Sequence, residues 1–117
     1  MRSLLLAIAL TGLVLAPAGP PEAKDRAPST RRGYALVQTN CASCHAVGPA
    51  EDSPLRRAPP FRSLGERYPV RYLEEALAEG IVTAHPDMPA FAFSAEEAAD
   101  IVAYLESLQS AVERRQP

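Results

Sequence analysis

Apolar residues recur along this chain in distinct rhythms. From Leu4 to Leu15 they run almost without a break. Tyr34, Val37, Cys41 and Cys44 then fall three and four apart, which places them on one face of a helix. Val70, Leu73 and Leu77 repeat that spacing, and Ala98, Ile101, Val102, Leu105 and Leu108 carry it through a longer stretch. No segment shows the strict alternation of a half-buried strand. The pattern predicts an all-α protein of three to four helices.

Start and stop signals bound these helices. Ser29, after Pro28, is a good N-cap, and the first helix is expected to run from there to about Cys44. Gly33 falls inside it, where glycine costs about 1 kcal/mol against alanine. A second helix pressing close to this position would account for that cost. Residues 48–60 read as a loop punctuated by Pro49, Pro54, Pro59 and Pro60, followed by a short helical turn around 61–67. Pro69 opens a helix to about Glu79, with Gly80 as its stop. Residues 83–93 are expected to be extended, since Pro86 and Pro89 oppose a helix. Ser94 and Glu97 form a capping box for the last helix, and Arg114 and Arg115 sit favourably at its end.

The opening apolar run has a different meaning. Arg2 precedes it and Ala16-Pro17-Ala18 follows, the layout of an export signal over residues 1–18, with cleavage after Ala23 as the alternative. An uncleaved anchor is the competing reading, but the run is short for a bilayer span and Thr11-Gly12 interrupts it. Residues 19–28 read as a flexible lead-in, rich in proline and charge, and 29–117 as one domain. So small a domain buries a modest core and usually needs a staple such as a metal or a disulfide. The formal net charge is −2, with no basic tail or stripe of the kind that binds nucleic acid. The mature chain is expected to be periplasmic and monomeric, with no membrane span.

Cys41-Ala42-Ser43-Cys44-His45 carries the chemistry. Two cysteines three apart with a histidine next form the attachment site of a covalent c-type haem. On a helical turn both sulfurs share a face and reach the two vinyl groups of one porphyrin, and the next residue brings an imidazole to the iron. The alternatives are a simple disulfide, a redox dithiol, or a zinc site. The dithiol lacks its βαβ setting, and two Cys with two distant His make an odd zinc set. A single motif implies a single haem c bound through Cys41 and Cys44. The sixth iron position has Met88, His85, a lysine or water as candidates. Met88 is the only methionine left once the signal is removed, and it sits in the proline-stiffened segment His85-Pro86-Asp87-Met88-Pro89. A flexible thioether on a stiff loop meets a metal with little entropy left to lose. The metal ligands read from the residues are therefore His45 and Met88.

With these residues in place, the chain resembles the small class I cytochromes c of bacteria over essentially its whole mature length. Gly33 stands eight residues before the first cysteine, as in that family, and Val102-Ala103-Tyr104-Leu105 matches the family's pattern in the last helix. The resemblance implies that the terminal helices cross at Gly33 and that Met88-Pro89 marks the axial methionine. It also implies that a proline carbonyl accepts a hydrogen bond from the proximal histidine, with Pro59 the first choice and Pro60 the second. Phe61 takes the apolar haem-packing position. The mitochondrial relatives' tryptophan and lysine ring are missing, which leaves Arg67 or Tyr68, or Arg56, Arg57 and Arg62, for the haem propionates. The implied function is one-electron transfer between redox protein partners, without an enzymatic activity. A partner is expected to dock at an apolar rim of Ala42, Ser43, Ala46, Val47, Pro89 and Ala90. The rivals are a dedicated haem subunit of a periplasmic dehydrogenase and a ligand-binding or peroxidase-like haem protein.

Overall fold

A computed structural model describes residues 26–81 and 85–116. The export signal and most of the lead-in lie outside the described residues. Among the described residues all regular structure is helical, in keeping with the all-α class. Helix α1 spans Thr30–Asn40, α2 Leu73–Glu79 and α3 Ala95–Glu113, with 3-10 turns at Phe61–Glu66 and Val70–Tyr72 before α2.

Local chemistry explains where these helices start and stop. The Ser29 hydroxyl accepts the Arg32 N–H at 3.4 Å and opens α1. The helix ends before the cysteines, short of the expected Cys44. The N–H groups of Cys41 and Ala42 both converge on the Val37 carbonyl, at 2.8 and 3.1 Å, and this widened turn halts the helix. A fresh turn then forms over the motif, where Cys44 and His45 both bond the Cys41 carbonyl at 3.1 and 2.9 Å. The helix expected from Pro69 also begins differently. Its first turn is 3-10, and the Leu73 N–H reaches back to Val70 and Arg71. Gly80 ends α2 with φ of 102°, a conformation that glycine adopts without a Cβ clash. The Ser94–Glu97 box at the head of α3 is fully formed, with bonds of 3.2 and 2.9 Å.

Helix α3 is the spine. Its stripe of Ala98, Ile101, Val102, Leu105 and Leu108 is buried throughout. It packs on α1, on α2 and on both 3-10 turns, and Val37, Val47, Phe61 and Val70 complete the core. Helices α1 and α3 meet at Gly33. A Cβ built there would lie 1.9 Å from the Asp100 carbonyl oxygen and 2.8 Å from Tyr104 Cβ. The contact is thus backbone against backbone. Beside it the Tyr34 and Tyr104 rings sit 5.3 Å apart, and the Tyr104 hydroxyl donates to the Val47 carbonyl at 2.6 Å.

The apolar stripe gives no warning of Asp100, which is only 1 % exposed. A buried carboxylate is costly unless its charge is paired and its oxygens are bonded. Here it accepts from the Ser29 N–H at 2.7 Å, from Arg32 Nε and Nη2 at 2.7 and 2.9 Å, and from Arg26 Nη2 at 2.9 Å. The Arg32 hydrogen bond, helped by the Ser29 N–H and the nearby Arg26, holds the carboxyl below the usual carboxylate range. The same contacts tie Arg26, at the end of the lead-in, to α3.

Two outcomes follow from this crossing. Gly33→Ala should lower unfolding stability by about 1–3 kcal/mol or more in urea, because the added methyl meets backbone that cannot swing aside. Asp100 should contribute stability that is fully present above the ordinary carboxylate pKa of about 3.9, and that is lost as pH falls through its depressed folded value. Urea midpoints measured from about pH 6 down to about pH 2 should therefore fall more steeply for the native chain than for Asp100→Asn.

Candidate haem site

The turn that follows α1 sets Cys41, Cys44 and His45 along one wall of a deep cleft. Both cysteines are free and half-buried, so the motif is not a disulfide here. Burial pushes the Cys41 thiol up to about 11. Among the described residues, no three His, Cys, Asp or Glu side chains gather as a metal cage, which leaves the zinc reading without ligands.

The loop after the motif folds back onto it. Ser53 Oγ accepts the Ala46 N–H at 3.0 Å, Leu55 N–H bonds the Cys44 carbonyl at 3.1 Å, and Phe61 N–H bonds the Ala46 carbonyl at 2.9 Å. This return path brings the Pro59 carbonyl to 2.8 Å from His45 Nδ1. With Nδ1–H donating to that carbonyl, Nε2 keeps its lone pair for a metal. The Pro60 carbonyl is used elsewhere. It accepts the Ser63 N–H and hydroxyl at 3.1 and 2.9 Å, starting the 3-10 turn. The Phe61 ring lies 5.0 Å from the imidazole, and Gln109 Nε2 holds the Phe61 carbonyl at 2.8 Å.

The cleft has a volume of about 360 Å³ and opens to solvent at its mouth. Val37, Leu64, Leu73, Leu77, Ile101 and Leu105 give it aliphatic walls. Protein interiors pack closely, and an apolar void forfeits dispersion contacts on every wall. Two thiols at one edge, an imidazole with a free Nε2 and apolar walls fit a covalently attached haem.

Met88 lines the same cleft from a different segment. It is half-buried, at the end of a turn closed by its N–H on the His85 carbonyl at 3.1 Å. His85 also lines the cleft, but is exposed. Of the propionate candidates, Arg57 and Tyr68 line the cleft, and Arg62 turns to Asp52 at 3.7 Å and to the Glu51 carbonyl. The expected docking rim needs correction. Ala46 and Val47 are each only 2 % exposed, because their carbonyls are bonded by Phe61 and Tyr104 inside the core. Ser43, Pro89 and Ala90 are exposed and Ala42 is half-buried.

Residues 28–105 match the family model described as cytochrome c oxidase, cbb3-type, subunit III. Over 77 residues the chain is 38 % identical to cytochrome c-552 of Bradyrhizobium diazoefficiens, a match covering 66 % of this chain and 72 % of that protein. No solved structure matches. The chain belongs to this family of c-type cytochrome domains, and is a haem electron carrier with haem c attached through Cys41 and Cys44.

Attachment is directly measurable. The haem should stay with the polypeptide through acid-acetone extraction and in a denaturing gel. Cys41→Ala and Cys44→Ala should each lose most of the holoprotein.

Proposed function

We propose that the chain is a periplasmic one-electron shuttle whose iron is held by His45 and Met88. The observation that carries this reading is the convergence of His45, oriented by the Pro59 carbonyl, and Met88, the sole methionine beyond the expected export signal, on a single apolar cleft. Bound haem supplies a one-electron iron couple; the chain's own residues decide how that couple behaves. The Pro59 carbonyl fixes the His45 tautomer and raises the basicity of Nε2. The Met88 thioether is a soft ligand that favours ferrous iron and so raises the potential. The aliphatic walls keep water away, which favours electron transfer over chemistry at an open iron. Two fixed ligands also limit the change in geometry between oxidation states.

Export through residues 1–18 would deliver the chain to the compartment where c-type haem is attached. Its partners are redox proteins that approach the cleft, along which Ser43 and Pro89 are exposed. Small side chains there let a porphyrin edge be reached without desolvating charges. A second reading, a dedicated haem subunit of a larger electron-transfer assembly, draws support from the oxidase-subunit description of the matching family. Size fractionation of native extract separates the two: a shuttle runs at its own mass, and a subunit runs with its complex.

The ligand assignment has a sharper test. Met88→Ala should abolish the weak far-red absorption that marks methionine–iron bonding in the oxidised protein, and should admit carbon monoxide to the reduced form. Met88→His should lower the reduction potential. His85→Ala should do neither. A Met88→Ala protein with an unchanged spectrum and no new ligand binding would overturn the assignment and promote His85.

A further inference from the structure

The loop that orients His45 carries two prolines in a row. Pro59 and Pro60 have no N–H, so neither can fix its own backbone by donating a hydrogen bond. The Pro59 carbonyl nonetheless lies 2.8 Å from His45 Nδ1. Bonds on either side of the pair hold it there. Before it, Ala58 N–H bonds the Leu55 carbonyl at 2.8 Å. After it, Phe61 N–H bonds the Ala46 carbonyl at 2.9 Å, and Gln109 Nε2 donates to the Phe61 carbonyl at 2.8 Å.

Gln109 differs from the others in where it comes from. Leu55, Ala58 and Ala46 belong to the motif and its return loop, whereas Gln109 lies on α3, 48 residues beyond Phe61. It is half-buried, one helical turn past Leu105, which lines the cleft. Its amide also rests against Gly65 of the 3-10 turn, where a Cβ would lie 2.7 Å from Oε1 and 3.1 Å from Cδ. We propose that Gln109 is a positioning residue for the proximal ligand. Through the Phe61 carbonyl it keeps the Pro59 carbonyl on His45, and it does so from a seat that Gly65 leaves open. The proposal rests on His45 being an iron ligand.

The effect has a size and a sign. Loss of the bond should free Nδ1–H from the Pro59 carbonyl about two- to ten-fold more often, the net worth of one neutral hydrogen bond. The bond to Pro59 makes the imidazole more basic, and a more basic ligand favours ferric iron. Loosening it should therefore raise the reduction potential. A residue that only tied the 3-10 turn to α3 would change stability and leave the imidazole alone.

The experiment follows deuterium exchange of His45 Nδ1–H by NMR in the reduced holoprotein, with the backbone amides of α3 as the reference for opening of the whole domain. Gln109→Leu removes the donor at similar size. Gly65→Ala keeps the donor but pushes its amide off the seat. Each should speed Nδ1–H exchange about two- to ten-fold, more than it speeds the α3 amides, and should raise the reduction potential. Both act on one bond, so the double variant should exchange no faster than Gln109→Leu alone. Native-like exchange in either single variant overturns the proposal, as does equal speeding of the α3 amides. A double variant whose effect is the product of the two singles overturns it too, since they would then act on separate contacts. So does a fall in potential, which marks water entering the cleft in place of a loosened imidazole. His45 ring protons that lack the large upfield shift of an axial imidazole remove the His45 ligation, and the proposal with it.

Discussion

The site depends on a contact in which one residue has no side chain. At Gly33 the backbone of α1 lies against the carbonyl of Asp100, closer than any Cβ would permit. This crossing fixes where α1 ends relative to α3. The end of α1 delivers Cys41, Cys44 and His45, and α3 contributes Ile101 and Leu105 to the facing surface. A shift of the crossing would move the attachment turn with respect to the apolar wall. Around the contact, Tyr104 reaches across to the Val47 carbonyl just beyond the motif, and Asp100 gathers the first turn of α1 and the lead-in.

Much of this was legible in the sequence because its rules are local. The Ser94–Glu97 box, the Gly80 stop and the five-residue stripe of α3 each follow from spacing alone. The attachment motif is equally local. Elsewhere the chain departs from local rules. The unwinding of α1 before the cysteines depends on two N–H groups sharing the Val37 carbonyl, and the 3-10 opening of α2 on a similar sharing by Leu73. Asp100 escaped notice because its partners are about seventy residues away in sequence, and a polar residue beside an apolar stripe looks like the solvent face. The burial of Ala46 and Val47 is hidden from the sequence for the same reason. Their burial follows from tertiary bonds to Phe61 and Tyr104 that no window of neighbouring residues contains.

The two halves of the domain differ in how far they are self-sufficient. The α1–α3 half buries Val37, Ala98, Ile101 and Leu105 almost completely. Helix α2 buries no residue completely, and its apolar Leu73 and Leu77 face the cleft. The same holds for Ile81, Phe91 and Phe93, which are half-buried around the same space. This half lines the space that a bound haem would fill. A domain this small buries a modest core, and a covalently attached cofactor would add to it.

The bonds around Asp100 have a bearing on where such a protein can work. Under the periplasmic reading, the chain is exposed to the acidity of its surroundings, with no cytoplasm to buffer it. Protonation would leave a buried carboxyl facing two guanidinium groups, at the joint on which the cleft is built. By holding that carboxyl ionised below the usual range, Arg32, Arg26 and the Ser29 N–H postpone this failure. The joint between the terminal helices thus keeps its charge further into acid than an ordinary carboxylate would. The stability it lends drains away as the outside pH falls through that depressed value.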